Sequence, residues 1–176
     1  MRTPKRVVVP LSVDEVAGFW ASFRTSRDLA IVGLMLFDGL RSCEVLALNG
    51  DDLLLPDSQI RVRGKGNKLR WLPLAPETIK LLDYYLRLER PPNCGSPLFV
   101  GLKGRARGRR MTSAGLRSLF RHHRLCSDVL RANPHRFRHY APSRTMPPHV
   151  VSMLPAGLWP RIMGHSSRVV VGILGE

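Results

Sequence analysis

The chain has 176 residues, 44% of them hydrophobic, which is one domain's length and enough apolar matter for a single core. Its longest apolar run, Leu29 to Phe37, falls far short of the roughly 20 residues of a membrane span, no signal peptide opens it, and Cys43, Cys94 and Cys126 are too widely spaced for a disulfide framework or a CxxC metal pair. The net charge of +15 is lopsided, with 13 Lys+Arg against 11 Asp+Glu up to Glu89 and 15 against 2 from Arg90 onward.

That second half asks for a polyanion, because a field of this sign draws in nucleic acid and releases its condensed counterions. An anionic membrane fits less well, since no basic segment pairs with a clean apolar helical face. RNA fits less well too, because only 7% of the residues are aromatic and stacking platforms are few. The expected partner is nucleic acid and the expected setting a reducing cytoplasm.

In chain order, "LSVDEV" opens a helix over about Val13 to Phe23, with Ser12 as cap, Glu15 as its capping-box partner and Leu11 stapled to Val16. A second helix from Asp28 is apolar all round, the pattern of a core helix, and ends near Asp38-Gly39. "RSCEVLAL" is a short third helix closed by Asn49-Gly50. "QIRVRGKGNKLRWLPL" alternates on both sides of a Gly-rich centre, a β-hairpin turning at Gly64 to Asn67. Pro76 starts a helix that stops before Pro91-Pro92, and "GLKGRARGRR" is expected to be a disordered basic loop in the free protein. Thr112 to Arg124 forms an amphipathic helix with Leu116, Leu119 and Phe120 inward. Between Pro142 and Pro160, five prolines forbid any long helix.

"NPHRFRH" carries the chemistry. Asn133 is a good N-cap and Pro134 a good first residue, so His135, Arg138 and His139 share one face of a new helix while Arg136 points elsewhere. A positive face at a helix start suits a phosphate. Zinc would need a third ligand that no other His or Cys pair supplies by its spacing. A solvated basic face is the plain alternative.

Four pieces in order, "DGLRSCEVLAL", "RGKGNKLRWLPL", "PHRFRH" and "MGHSS", closely resemble the catalytic domain of tyrosine site-specific recombinases, the phage integrase family, with mobile-element integrases the nearest type. The resemblance implies a mixed, mainly α fold with a small antiparallel β-sheet or hairpin, and DNA strand cleavage and rejoining through a 3′-phosphotyrosyl intermediate. It implies no cofactor and no metal, double-stranded DNA as the partner and a nucleoid-associated cytoplasmic setting, and it allows a family-like homo-oligomer on that DNA. It makes Arg41 the first phosphate-clamping arginine, Lys65 the general acid toward the leaving 5′ oxygen, His135 and Arg138 the His-x-x-Arg pair, and His165 the last histidine of the pocket. Two guanidinium forks suit a phosphodiester gathering charge on its non-bridging oxygens, and a lysine among cations suits a proton donor. Taken alone, the lesser alternative for Arg41 is a surface arginine paired with Glu44, and Lys68 competes with Lys65. Lys68, Arg70, Lys103, Arg105, Arg107, Arg109 and Arg110 are the expected DNA-backbone contacts, and Trp71 and Trp159 are expected to pack.

The resemblance has gaps. The family's nucleophilic tyrosine is expected about nine residues after the "GH" histidine, where Leu174 stands, and no tyrosine follows Tyr140. Tyr84 and Tyr85 are expected to pack, and Tyr140 to point away from the His135 face. Residues 142–176 match the family poorly, the pattern expected of a reading-frame shift or a disordered tail, which translation of the other two frames would test. The chain is expected to be one catalytic domain lacking the family's N-terminal DNA-clamping domain. An inactive DNA-binding remnant is therefore the alternative to a working recombinase.

Overall fold

The structure, a computed structural model, describes residues 11–140, and for Lys65 and residues 138–140 the backbone alone. Helix α1 (Val13–Ala21) begins as expected. Ser12 Oγ accepts the Glu15 N–H at 3.1 Å, and the Ser12 N–H returns to Glu15 Oε2 at 2.8 Å. The helix ends two residues before Phe23, but Phe23 is buried all the same. Helix α2 (Ser26–Leu36) is capped by Thr25, and every residue from Leu29 to Leu36 is buried, as an all-round apolar helix must be. It is the central post, with α3, α4 and α6 packed on it.

Gly39, at φ 68°, ends α2 in the left-handed region and lets the Leu40 N–H reach back to Leu34 O at 3.0 Å. Buried Leu40 pins this corner, and the chain leaves it extended at Arg41, the N-cap of α3 (Ser42–Ala47). The sheet has three strands in the order β1 (Leu53–Leu54), β2 (Gln59–Arg63), β3 (Leu69–Pro73), all antiparallel. The hairpin is where the alternation placed it, and two-residue β1 is too short to show a period. Ile60 and Val62 face the core, whereas Leu69 and Trp71 are exposed, with the Arg61 guanidinium 5.8 Å from the Trp71 ring centre. Trp71 thus lies on the outer face, outside the packing expected of it.

Helix α4 (Pro76–Tyr84) widens into a π-helical turn at Tyr85–Glu89, closed by the Arg90 N–H on Tyr85 O at 2.8 Å. Tyr85 is a core tie, as expected: its hydroxyl donates to Leu98 O at 3.0 Å and accepts the Val100 N–H at 3.2 Å. Helix α5 (Ser113–Ser127) runs three residues past Arg124 and buries Leu116, Leu119, Phe120 and His123. Helix α6 (Pro134–Tyr140) starts where "NP" put it, with the Arg136 N–H on Asn133 Oδ1 at 3.0 Å. Fully buried Phe137 docks it against Phe19 and Phe120, with ring centres 5.1 and 5.9 Å away. None of the described helices is long and apolar enough to cross a membrane.

The expectation of a disordered basic loop is corrected. Residues 101–110 close on themselves through the Gly101 N–H to Arg109 O and the Gly108 N–H to Gly101 O, both 2.9 Å, around a 3-10 turn at Gly104–Ala106. Lys103, Arg105, Arg107 and Arg109 are exposed while the Gly101, Arg107, Gly108 and Arg109 N–H groups bond backbone carbonyls of the loop itself, so charge repulsion does not open it.

Asp38 joins two elements of this core. Its carboxylate accepts the Ala75 N–H at 2.8 Å and the Thr78 hydroxyl at 2.9 Å, capping α4, whose own N-cap residue is an alanine. Burial outweighs these two hydrogen bonds, and the Asp38 carboxyl is pushed up to about 6. A raised acid costs stability once it ionises, so its penalty is absent at pH 3 and grows as pH rises through 4 to 6, reaching on the order of 2–3 kcal/mol. Asp38→Asn should melt close to the parent at pH 4 and a few degrees above it at pH 7.5. A difference between the two melting curves that stays constant across this range would contradict the assignment.

Candidate nucleic-acid interface

Three helix starts line one cleft of about 620 Å³: Ser42 and Cys43 of α3, Thr112 and Ser113 at the head of α5, and Pro134 of α6. Ser42 and Pro134, 92 positions apart in sequence, thus come to one place, and Arg41 and His135 are their immediate chain neighbours outside the cleft lining. His135 is exposed, and Arg138 lies one turn further along α6. Lys65 opens the 3-10 turn at the hairpin tip, Lys65–Asn67. His165, Leu174 and the proline-rich segment lie outside the described residues, as does Trp159.

Arg41 is held by Glu44. The Arg41 N–H donates to Glu44 Oε2 at 2.8 Å, and its Nη1 to Glu44 Oε1 at 3.1 Å. Glu44 is almost wholly buried, with 3% of its side chain exposed, while 48% of the Arg41 side chain is. The same Oε1 takes a second guanidinium, Arg70 Nη2, at 3.0 Å. Burial pushes the Glu44 carboxyl up, but the Arg41 N–H and the Arg70 guanidinium outweigh it, so it stays below the usual carboxylate range and remains charged. One carboxylate between two guanidiniums leaves the cluster at +1. The two readings of Arg41 are therefore compatible, because the Glu44 pair fixes its root and half the side chain is still open to solvent.

The expected backbone contacts divide. Lys68, Lys103, Arg105, Arg107 and Arg109 are exposed, and none forms an ion pair among the described residues. Arg70 and Arg110 have internal partners instead. Arg110 Nη1 donates to Leu46 O at 2.9 Å and Leu48 O at 3.2 Å, and its Nη2 to Asn49 Oδ1, which satisfies carbonyls at the end of α3 and ties the basic loop to the helix that carries Arg41. Sequence reading missed the shared use of Glu44, and one signal was available for it. Strand alternation puts Arg70 on the inward face with Leu72, where a charge needs a partner. No group of three or more His, Cys, Asp or Glu among the described residues is placed to hold a metal ion.

The description "Phage integrase family" matches residues 11–168, a stretch that includes His165 and stops short of Leu174. The tyrosine recombinase XerC of Neisseria gonorrhoeae is 34% identical over 113 residues, covering 64% of this chain and 36% of that protein. The chain thus matches little more than a third of that relative's length. Among solved structures, the XerA recombinase is similar with a TM-score of 0.65 and 28% identity, over 78% of this chain and 49% of its own. The XerH site-specific recombinase bound to its difH substrate, a pre-cleavage complex, gives 0.59 and 25% over 94% and 50%.

Loss of Glu44 should cost far more than loss of Arg41. Glu44→Ala leaves two guanidiniums facing each other over a small cavity, worth about 2–4 kcal/mol, or roughly 5–10 °C in thermal midpoint. Arg41→Ala leaves Glu44 paired with Arg70 and should melt within a few degrees of the parent, as Arg138→Ala should. An Arg41→Ala midpoint as low as that of Glu44→Ala would make Arg41 a structural residue.

Proposed function

The chain belongs to the phage integrase family, and we propose that it is a DNA integrase or recombinase catalytic domain that holds one phosphodiester of duplex DNA between Arg41 and His135, the chain neighbours of the cleft residues Ser42 and Pro134. The observation that carries this reading is the Glu44 clamp, which fixes the root of Arg41 and leaves about half of its side chain exposed at a cluster of charge +1. Such an arginine is preorganised for a phosphate. The exposed cations of residues 103–109 extend the positive field along the backbone on either side.

The proposed chemistry is that of the family. In the family a tyrosine hydroxyl, at the position where this chain has Leu174, attacks phosphorus with loss of its own proton as the bond to the 5′ oxygen breaks, and Lys65 is the residue proposed to supply the proton that this oxygen takes. The DNA 3′ end stays linked to the tyrosine until a 5′ hydroxyl reverses the step. Arg41 and Arg138 spread the charge on the non-bridging oxygens, with His135 and His165 donating hydrogen bonds beside them. The phosphodiester energy is kept in the covalent link. Assembly of several copies on DNA belongs to the same proposal.

Leu174 favours a second reading, because it stands where the attacking tyrosine is expected. On that reading the chain binds DNA and polarises a phosphodiester without cutting it. A nicked suicide duplex separates the two. The chain as written is expected to retain the duplex and give no covalent adduct on a denaturing gel, and Leu174→Tyr to give at most a trace, since an error of about 1 Å in placing the hydroxyl costs about 100-fold. Rapid accumulation of protein-linked DNA from the unaltered chain would establish the recombinase and dismiss the second reading. Duplex affinity should fall by about 10³-fold or more between roughly 50 and 200 mM salt if six or more phosphates are contacted. Salt-independent binding would dismiss both.

A further inference from the structure

We propose that Arg70 is a positioning residue and not a DNA contact: it keys the hairpin that carries Lys65 to the α3 start that carries Arg41, through the Glu44 carboxylate they share. The inference rests on the phosphate-clamp reading of Arg41 and Lys65. Its geometry does not.

Three observations converge on Arg70. It pairs with Val62 across the ladder, and on its own strand Leu69 and Trp71 are exposed while Arg70 and Leu72 turn inward. Its Nη2 meets the Glu44 oxygen that Arg41 Nη1 meets, at 3.0 and 3.1 Å, so one buried atom joins strand β3 to helix α3. The root of the turn makes room for it. A Cβ built on Gly64 would lie 2.6 Å from Arg70 Nη1 and 3.8 Å from Glu44 Oε1, although the Gly64 φ of −94° is open to any residue. A side chain there would push the Arg70 guanidinium away from Glu44, although the backbone itself would allow one. The Gly64 N–H then closes the turn on Lys68 O at 2.8 Å, so the segment bearing Lys65 grows directly out of the clamp.

Electrostatics gives Arg70 a second effect. Without it, Arg41 and Glu44 form a neutral pair three residues apart, and the carboxylate competes with any phosphate for the Arg41 guanidinium. With it, the shared oxygen divides its charge between two cations and the site keeps +1. Arg70 strengthens phosphate binding at Arg41 without touching the phosphate.

The test compares Arg70→Gln, Arg70→Lys and Gly64→Ala in two measurements. In amide hydrogen exchange, Arg70→Gln and Gly64→Ala should both speed exchange at the Arg41 amide, which bonds Glu44 Oε2, and at the Gly64 amide, by about tenfold each, while α2 amides keep their protection. Arg70→Lys, which keeps the charge without the fork, should recover part of that loss. Unchanged exchange at both amides would overturn the proposal. In duplex binding, Arg70→Gln should weaken affinity by about tenfold with Glu44 present and by less than about threefold in a Glu44→Gln background. An equal loss in both backgrounds would make Arg70 a direct DNA contact. If the parent chain binds no duplex at all, the proposed function fails, and the exchange measurement still decides the role of Arg70.

Discussion

A buried carboxylate is stable only where donors surround it, and Glu44 gathers its donors from two separate pieces of chain: the Arg41 N–H and guanidinium from the entry of α3, and the Arg70 guanidinium from β3. The rest of the candidate site depends on that requirement. The all-apolar α2 fixes the corner at Gly39 and Leu40, the corner delivers Arg41, Glu44 holds it, and Arg70 returns the same oxygen to the hairpin. Because the Glu44 carboxyl lies below its ordinary range, the arrangement keeps its charge through neutral pH and loses it only in acid.

Acids and bases have different work here. Nearly all the acidic residues stand in the first half of the chain, and several have basic or backbone partners: Asp52 pairs with Arg61, and at the surface Asp83 pairs with Arg87 and Glu15 with Arg131, while Glu89 takes the Ser26 and Arg27 N–H groups at the head of α2. The second half has almost none to spare. The cations from Lys103 to Arg109 therefore stay exposed, with no ion-pair partner among the described residues, on a backbone that is nevertheless closed and tied to α3 by Arg110. A basic segment in the sequence does not have to be a mobile one, and the difference lies in backbone hydrogen bonds that charge counting does not see.

Local signals made much of the fold legible. The Ser12-Glu15 box, the apolar Leu29 to Phe37 run, the alternation around Gly64 and the Asn133-Pro134 start each specify structure within a few residues, and each stands where its chemistry put it. Strand β1 and the π-helical turn did not show, because the first has no room for a period and the second differs from an α-helix by one hydrogen-bond register. The candidate site was legible as a set of residue types in order. Its connections were not: Arg41 and Glu44 are three residues apart and readable as a pair, whereas Arg70 reaches the same oxygen from 26 residues further on, and only the folded hairpin brings it there.

Whether Arg41, held by Glu44, meets a DNA phosphate together with His135 is decided by a structure of the chain bound to a duplex of about 30 base pairs, long enough to cover the cleft and the basic loop. One phosphodiester is expected within hydrogen-bond distance of the Arg41 and Arg138 guanidiniums, with the 103–109 cations along the flanking backbone and Arg70 still on Glu44. A duplex seated elsewhere, with Arg41 turned wholly onto Glu44 and the cleft facing solvent, would contradict this placement.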